Sequence, residues 1–315
     1  MGSLSDVVVF LDGEPVEAGE ARISVFDHGF LFGDSVYEVV RTVTPAGSTP
    51  TNGAGAQARR LFAFEPHMER LEGSARAIAL VIPWSRAELR AQVERAIARV
   101  QAPGDVYVRI IVTRGVGELD LAPDSCKRAG SVIVAKPLPV YPRSWYDDGI
   151  DVRVVGTMRN PKRAMSPSIK SGNYLNNVLA LMEARRAGAL EAAMLNENGF
   201  LTECTTSNVF FARNGVLRTP SLDCGILSGI TRSLLLEVAR KKGVGIEEGH
   251  FPAEDLRAAD EAFITSTTKD LVPIRTVDGA RLGSSPGPLT KQLSLLFVQS
   301  VQDTVGREAQ ASTRT

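Results

Sequence analysis

Residues 105–114 alternate without a break: Val106, Val108, Ile110 and Val112 fall on one side, Tyr107, Arg109 and Ile111 on the other. Such a segment is a strand whose apolar face must be covered by a core. Its Tyr/Arg face is then turned either to solvent or to a polar cavity, and the pattern alone leaves both open. More strands precede it. Val7 to Leu11 runs into Asp12-Gly13, a hairpin signal, with a return strand from Val16. Ser35 to Thr42, rich in Val and Tyr, is another, with Ser35, Tyr37, Val39 and Arg41 sharing a face. Two helices are expected between these strands. One covers about residues 67–80, and one begins at Ser85, whose spacing to Glu88 makes a capping box.

Lys136-Pro-Leu-Pro-Val-Tyr-Pro-Arg143 holds three prolines, which argue against helix or central strand and for an extended connector. At 315 residues two domains are expected, so the sequence divides as 1–136, a linker over 137–147, and 148–315. The second part reads as a strand at 150–155, a helix at 174–187, hairpin turns at Asn196–Gly199 and Asn214-Gly215, helices near 231–242 and 253–258, a strand at 262–266 and a closing helix near 289–302. Pro45 to Ala58 is rich in Gly, Ala, Thr and Pro and reads as a surface loop.

Net charge is zero, which gives no electrostatic reason to expect nucleic acid or an anionic membrane as partner. No apolar run approaches the roughly 20 residues of a membrane span. Cys126, Cys204 and Cys224 are scattered, and their spacing indicates neither a disulfide framework nor a zinc site. The N-terminal residues lack the build of a signal peptide, so a cytoplasmic location is expected. Gly53 to Ala58 matches G-x-G-x-x-A but follows no strand, and is discarded as a dinucleotide motif. With only His28, His67 and His250, catalytic triads and His-rich metal sites have little basis, and no metal is expected.

What remains is Ser168-Ile-Lys-Ser-Gly-Asn-Tyr174, a lysine among small residues just before a helix. Taken alone, it would be a solvated surface lysine. Five segments in order change that reading: Asp27 to Glu38, Glu65 to Leu71, Lys170 to Asn177, Leu201-Thr-Glu203 through Ser207 to Phe210, and Gly229 to Arg232 with Ser266 to Thr268. Together they resemble the class IV aminotransferases, the branched-chain and D-amino-acid type, over about residues 7–280.

The resemblance implies a two-domain α+β protein of fold type IV: a small α/β N-terminal domain, a larger C-terminal domain with a barrel-like sheet, and pyridoxal 5'-phosphate between them. It implies Lys170 as the residue forming the Schiff base and shuttling the proton, and Glu203 as the carboxylate facing the pyridine nitrogen. Tyr174, one helical turn after Lys170, would face the cofactor's phenolic oxygen. Arg70, Thr231, the N–H of Ile230 and Thr267 would hold the phosphate. Tyr37, Val39, Arg41, Tyr107, Arg109 and Thr268 would line the substrate pocket, with Arg114 to Asp120 as a loop at its mouth. Tyr107-Val-Arg109 is similar to the Tyr-x-Arg element whose arginine meets the distal carboxylate of 2-oxoglutarate. A branched-chain L-amino acid is therefore the expected donor and a 2-oxo acid the acceptor. D-amino acids or (R)-amines are the alternative, and aminodeoxychorismate lyases or a non-catalytic relative lie further off. Family members are homodimers or larger, so self-association is expected. Cys204, where many relatives carry glycine, reads as a tolerated small residue.

Overall fold

The computed structural model describes residues 6–46 and 59–312, without the side chains of 307–312. The 53–58 motif, and all of the expected 45–58 loop after Ala46, lie outside the described residues. The chain forms two compact units.

The first unit is built on β1 (Val8–Leu11), β2 (Glu14–Val16), α1 (His28–Phe32), β3 (Ser35–Val43), β4 (Arg60–Phe62), α2 (Phe64–Ala77), α3 (Arg86–Arg99), β5 (Val106–Thr113) and β6 (Gly130–Pro137). Its six strands run in the order β2-β1-β6-β5-β3-β4, every neighbouring pair antiparallel. Asp12 and Gly13 both take positive φ, 50° and 87°, which suits the tight turn between β1 and β2. The alternation of β5 does what its pattern requires. Val106, Val108, Ile110 and Val112 are wholly buried and pack with Phe10, Val36, Val40, Phe64, Met68 and Val93 under α2 and α3. Tyr107 and Arg109 are half-buried on the opposite face. Register places Arg41 against Tyr107 and Val39 against Arg109, so these four side chains share that face.

The second unit comprises α4 (Ser144–Asp147), β7 (Ile150–Val154), α5 (Leu175–Arg186), β8 (Glu191–Leu195), β9 (Leu201–Cys204), β10 (Asn208–Arg213), β11 (Val216–Pro220), α6 (Ile230–Lys241), β12 (Ile246–Gly249), α7 (Ala253–Arg257), β13 (Glu261–Ser266), β14 (Asp270–Val277), β15 (Ala280–Arg281) and the part of α8 (Pro288–Ser312) that ends at Ser300. Its sheet runs β12-β11-β10-β13-β14-β7-β8-β9, with β15 on β14. The β11/β12, β14/β7 and β7/β8 pairs are parallel. Strand β9, at one end of that order, also approaches β10 and β11, so the sheet curls back on itself in the barrel-like manner expected. Among the described residues, no helix is long and apolar enough to cross a membrane.

Three expectations change. Gly130 to Pro137 is a full strand, β6, with Pro137 as its last residue opposite Val106. The proline ends the strand rather than preventing it, because a missing N–H is tolerated there. The partition falls after Pro139, but Ile169–Asn173 and the chain from Val301 onward cluster with the first unit. Those segments are tied by strand and helix contacts that a linear boundary does not register. Finally, Lys170 precedes the helix, as read, but it is held by strand pairing. Its carbonyl accepts from Tyr37 N at 2.9 Å, Gly172 N donates to Ser35 O at 2.8 Å, and Ser171 bridges Val36 antiparallel. Helix α5 begins only at Leu175, after Tyr174 as its N-cap. The one-turn spacing between Lys170 and Tyr174 therefore does not hold; β3 positions the lysine instead.

The capping box at α3 forms as read. Glu88 N donates to Ser85 Oγ at 3.3 Å, and Ser85 N donates to Glu88 Oε2 at 2.8 Å. Ser85→Ala should cost about 1 kcal/mol of stability by chemical denaturation; an unchanged midpoint would mean α3 is held by its packing alone.

Candidate active site

In the first unit, β3 and the Ile169–Asn173 segment bring Lys170 to Tyr37. The lysine Nζ lies 4.5 Å from the Tyr37 ring centroid, and the Arg109 guanidinium lies 3.9 Å from the same ring. An aromatic face attracts both cations and holds them without consuming their hydrogen-bonding capacity. Arg41 faces the Phe62 ring, and Lys136 faces that of Tyr107. The structure thus gathers Lys170, Tyr37, Val39, Arg41, Tyr107 and Arg109 on one side of one sheet.

The other row of β3 carries Glu38, which has no exposed surface. Arg70 on α2 donates to it through Nε (2.7 Å) and Nη2 (2.9 Å), and His67 Nδ1 lies 2.8 Å from Oε2. Burial opposes the charge on Glu38 most strongly, yet the Arg70 guanidinium and the His67 ring outweigh it and hold the carboxyl down at about 2. His67 is pushed below its ordinary value by burial, against the pull of Glu38. A neutral His67 donating from Nδ1 to an ionised Glu38 satisfies both. The bidentate pair fixes one edge of the Arg70 guanidinium, oriented by a partner that cannot turn. Arg70 is suited to an anion such as a phosphate.

In the second unit, Glu203 on β9 is 5% exposed and accepts from three donors. These are Arg159 Nε at 3.0 Å, Leu227 N at 3.0 Å and Asn208 Nδ2 at 3.4 Å. Arg159 is braced in turn by Asn176 and Asn177. A buried carboxylate with such donors suits a cationic ring nitrogen. Thr231 is buried at the start of α6, whose N-cap, Gly229, provides no side chain to the first amides. A Cβ on Gly229 would lie 2.0 Å from Asn208 Oδ1, so glycine is what lets the helix start approach the Glu203 network. Ile230 is the first helical residue, and its N–H is among those left for an anion. Thr267 and Thr268 form the turn after β13, with Thr268 Oγ1 3.2 Å from Tyr141 Oη. Next to them, Ser266 Oγ is buried with no hydrogen-bond partner among the described residues, as a group suited to an outside acceptor or donor would be. These residues fit pyridoxal phosphate: donors for its phosphate and an anion for its ring nitrogen.

Some roles escape sequence reasoning. Glu38 had a signal, a carboxylate between Val36 and Val40 in an apolar row. Arg159 had none; Asn177 and Asn208 lie in the segments that carry the resemblance, but only the fold shows that they belong to the Glu203 network. Arg114 pairs with Asp34 at 2.8 Å and donates to the carbonyls of Ile78 and Ala79, which is a structural bond set. Cys204 is fully enclosed, and burial pushes its thiol well above the ordinary range. With neither thiolate nor access, it is a packing residue shielded from oxidation.

An uncapped helix start and a buried carboxylate with three donors in one unit, and a lysine strand-bound beside a tyrosine in the other, are the groups that a phosphorylated heterocycle and an amine require. The chain belongs to the class IV amino-transferases, whose family model matches residues 36–277. It is 36% identical over 303 residues to a D-alanine aminotransferase of Listeria monocytogenes, covering 95% of this chain and 97% of the relative. It is 33% identical over 314 residues to a branched-chain-amino-acid aminotransferase of Pseudomonas aeruginosa, covering 98% and 97%. The structure of a T.th. branched-chain amino acid aminotransferase, solved with N-(5'-phosphopyridoxyl)-L-glutamate, superposes with a TM-score of 0.85 at 27% identity over 94% of each chain.

The Glu38 cluster gives a pH signature. A carboxyl held below its unfolded value contributes stability that is present above pH 4.5 and is lost as pH falls toward 2, roughly 3 kcal/mol in all. His67, held below 6.5, acts in the same direction, its share disappearing as pH falls below that value. Glu38→Gln should destabilise the protein at pH 7 by about 3–5 kcal/mol by stranding Arg70. It should also flatten the loss of urea resistance between pH 4.5 and 2. Parallel curves for variant and wild type would take Glu38 out of the acid response.

Proposed function

We propose that the protein is a pyridoxal-phosphate-dependent aminotransferase moving an amino group between a branched-chain L-amino acid and 2-oxoglutarate. The observation that carries this reading is the convergence of Lys170 and Arg109 on the Tyr37 ring. It sets a nucleophilic amine and a cation for a distal carboxylate on the same side of one sheet. The phosphopyridoxyl-glutamate named in the T.th. enzyme's structure supports both the cofactor and a glutamate-type partner.

When bound, pyridoxal phosphate supplies the carbonyl that takes the amino group and a ring that accepts the electrons left on the substrate's α-carbon. In this reading Lys170 Nζ would hold the cofactor and move the proton at the substrate Cα. Glu203 would be the carboxylate for the ring nitrogen, and Tyr174 the partner of the phenolic oxygen. Arg70, fixed by Glu38, and Thr231, Thr267 and the Ile230 N–H would be donors for the phosphate. Tyr37, Val39, Arg41, Tyr107, Arg109 and Thr268 line the substrate pocket. Arg109 rests on Tyr37 when an aliphatic side chain is bound and engages the carboxylate of 2-oxoglutarate when that substrate follows.

Self-association belongs to this reading. On α5, Leu175, Val178, Leu179 and Met182 form an exposed apolar stripe at helical spacing, opposite the buried Asn177, Ala180 and Ala184. In the first unit, Phe26, Phe30, Val116, Leu119 and Leu121 are exposed as well. Apolar groups in such number are covered in a working enzyme, and a second copy is the cover we assign. We place the reaction in the cytoplasm, a reducing compartment in keeping with three free cysteines.

Lys170→Ala should lose transamination and leave no borohydride-reducible link to cofactor; normal turnover would refute the assignment. In single half-reactions, L-leucine should bleach the cofactor absorbance of the wild type. Bleaching by D-alanine alone would instead favour the activity named for the Listeria relative. Arg109→Ala should slow the half-reaction with 2-oxoglutarate about 10–100-fold more than that with leucine, the worth of a charge-assisted hydrogen bond. Equal losses would place the distal carboxylate elsewhere.

A further inference from the structure

The strands β11 and β12 run parallel with Pro220 opposite Gly249, so they end at the same level. The chain leaving β11 folds into a short 3-10 turn at Leu222–Cys224, closed by Gly225 at φ 88°. Ser221 N donates to Gly249 O at 3.0 Å and pins the turn over the residue that leaves β12, His250. This register brings Asp223, Cys224 and His250 together although the last two lie far apart in sequence, and cysteine spacing therefore gave no hint of it. One ligand atom from each, a carboxylate oxygen, Sγ and a ring nitrogen, lies within 4.8 Å of the other two.

The arrangement has more than an ion pair needs. Asp223 Oδ2 and His250 Nε2 are 3.2 Å apart, with both side chains about half exposed, a contact of the kind that contributes ~0–1 kcal/mol. Cys224 adds nothing to that pair, yet its sulfur is buried beside it. Its sulfur contacts are weak: Gly249 O at 3.4 Å and Ser221 Oγ at 3.6 Å. The imidazole is steadied by Phe200, whose ring meets it edge-on at 5.3 Å. Asp223 is steadied by a short hydrogen bond from Ser221 Oγ.

We infer that Asp223, Cys224 and His250 form a binding site for a divalent transition-metal ion of the zinc type. One thiolate, one imidazole and one carboxylate make a donor set that such ions prefer over magnesium or calcium. Metal–ligand bonds of about 2.0–2.3 Å in a tetrahedron put ligand atoms roughly 3.5 Å apart. The three atoms need to draw together by little more than about 1 Å, which the two exposed side chains can do by rotating while Cys224 stays. Three protein ligands leave a fourth position for water. As the metal–sulfur bond forms, the thiol proton passes to solvent.

The site is built into a connection that matters elsewhere in the second unit. Cys224 O accepts from Asn196 Nδ2 at 3.1 Å. Three residues on, Leu227 N donates to Glu203, and Leu227 O accepts from Asn208 at 3.1 Å. Metal bound at one end of residues 221–229 would stiffen the segment that brings a donor to Glu203. The inference itself rests on the cluster's geometry alone and stands apart from the aminotransferase reading.

The test is a calorimetric titration of chelator-treated holoenzyme with Zn2+, paired with Cd2+ difference absorption to report thiolate coordination. One equivalent should bind, with a thiolate–cadmium band, and Cys224→Ser should abolish that band. Cys224→Ser and His250→Gln should each weaken Zn2+ binding at least tenfold, whereas Cys126→Ser should leave it unchanged. His250 is exposed, so its variant keeps the test valid if the buried cysteine cannot be replaced without unfolding. Absence of stoichiometric binding, or binding that survives both variants, would overturn the site.

Discussion

The first unit depends on a carboxylate that has been taken completely out of water. Glu38 sits in the apolar row of β3, where burial alone would expel its charge, and it stays ionised because Arg70 and His67 meet it from α2. The same strand holds Tyr37 on its other face and binds the backbone of Lys170 along its edge. One interaction therefore sets three things: the helix against the sheet, the orientation of the Arg70 guanidinium, and the strand to which the lysine is tied. Replacing Glu38 alone by an apolar side chain would leave Arg70 without an orientation.

The second unit repeats the device with different partners. Glu203 is enclosed by Arg159, Asn208 and Leu227 N. Glu191 is enclosed by Thr205, and Glu261 receives the first amides of α8 from Leu289 and Thr290. In several cases the donors are themselves held: Arg159 by Asn176 and Asn177, Asn208 by Leu227 O, and the Leu289 and Thr290 amides by α8. Little reorganisation is then needed when charge changes nearby, the condition under which electrostatic catalysis is effective. These carboxylates specify where loops and helix starts must lie, beyond any contribution to stability.

Much of this was legible from the chain. Alternation at residues 105–114 identified a strand with one core face and one Tyr/Arg face; Asp12-Gly13 and Asn214-Gly215 marked hairpins, and Ser85 with Glu88 a cap. The motif order pointed to Lys170, Glu203 and Arg70. Three features were hidden, each for a physical reason. Pro137 looked like a breaker because sequence does not show that a strand is ending there. Lys170 looked helical in its spacing to Tyr174 because pairing with Val36 and Tyr37, far earlier in the chain, is a long-range event. Arg159 and the Asp223–Cys224–His250 cluster carry no local signal at all, since side chains distant in sequence are brought together only by strand register.

The five residues Ile169–Asn173 belong to the first unit while the chain on both sides of them belongs to the second. That threading has a consequence for how the protein can be made and rearranged. A ribosome finishes every strand of the first sheet by Pro137, but the stretch that pairs with β3 has yet to emerge, so the edge of β3 waits for it. Nor can the first unit be moved as one contiguous cassette: a fragment ending at residue 139 would carry Tyr37, Arg70 and Arg109 and leave the lysine behind. Lys170 is encoded within the other unit's stretch of the gene, which keeps the two halves a single heritable module.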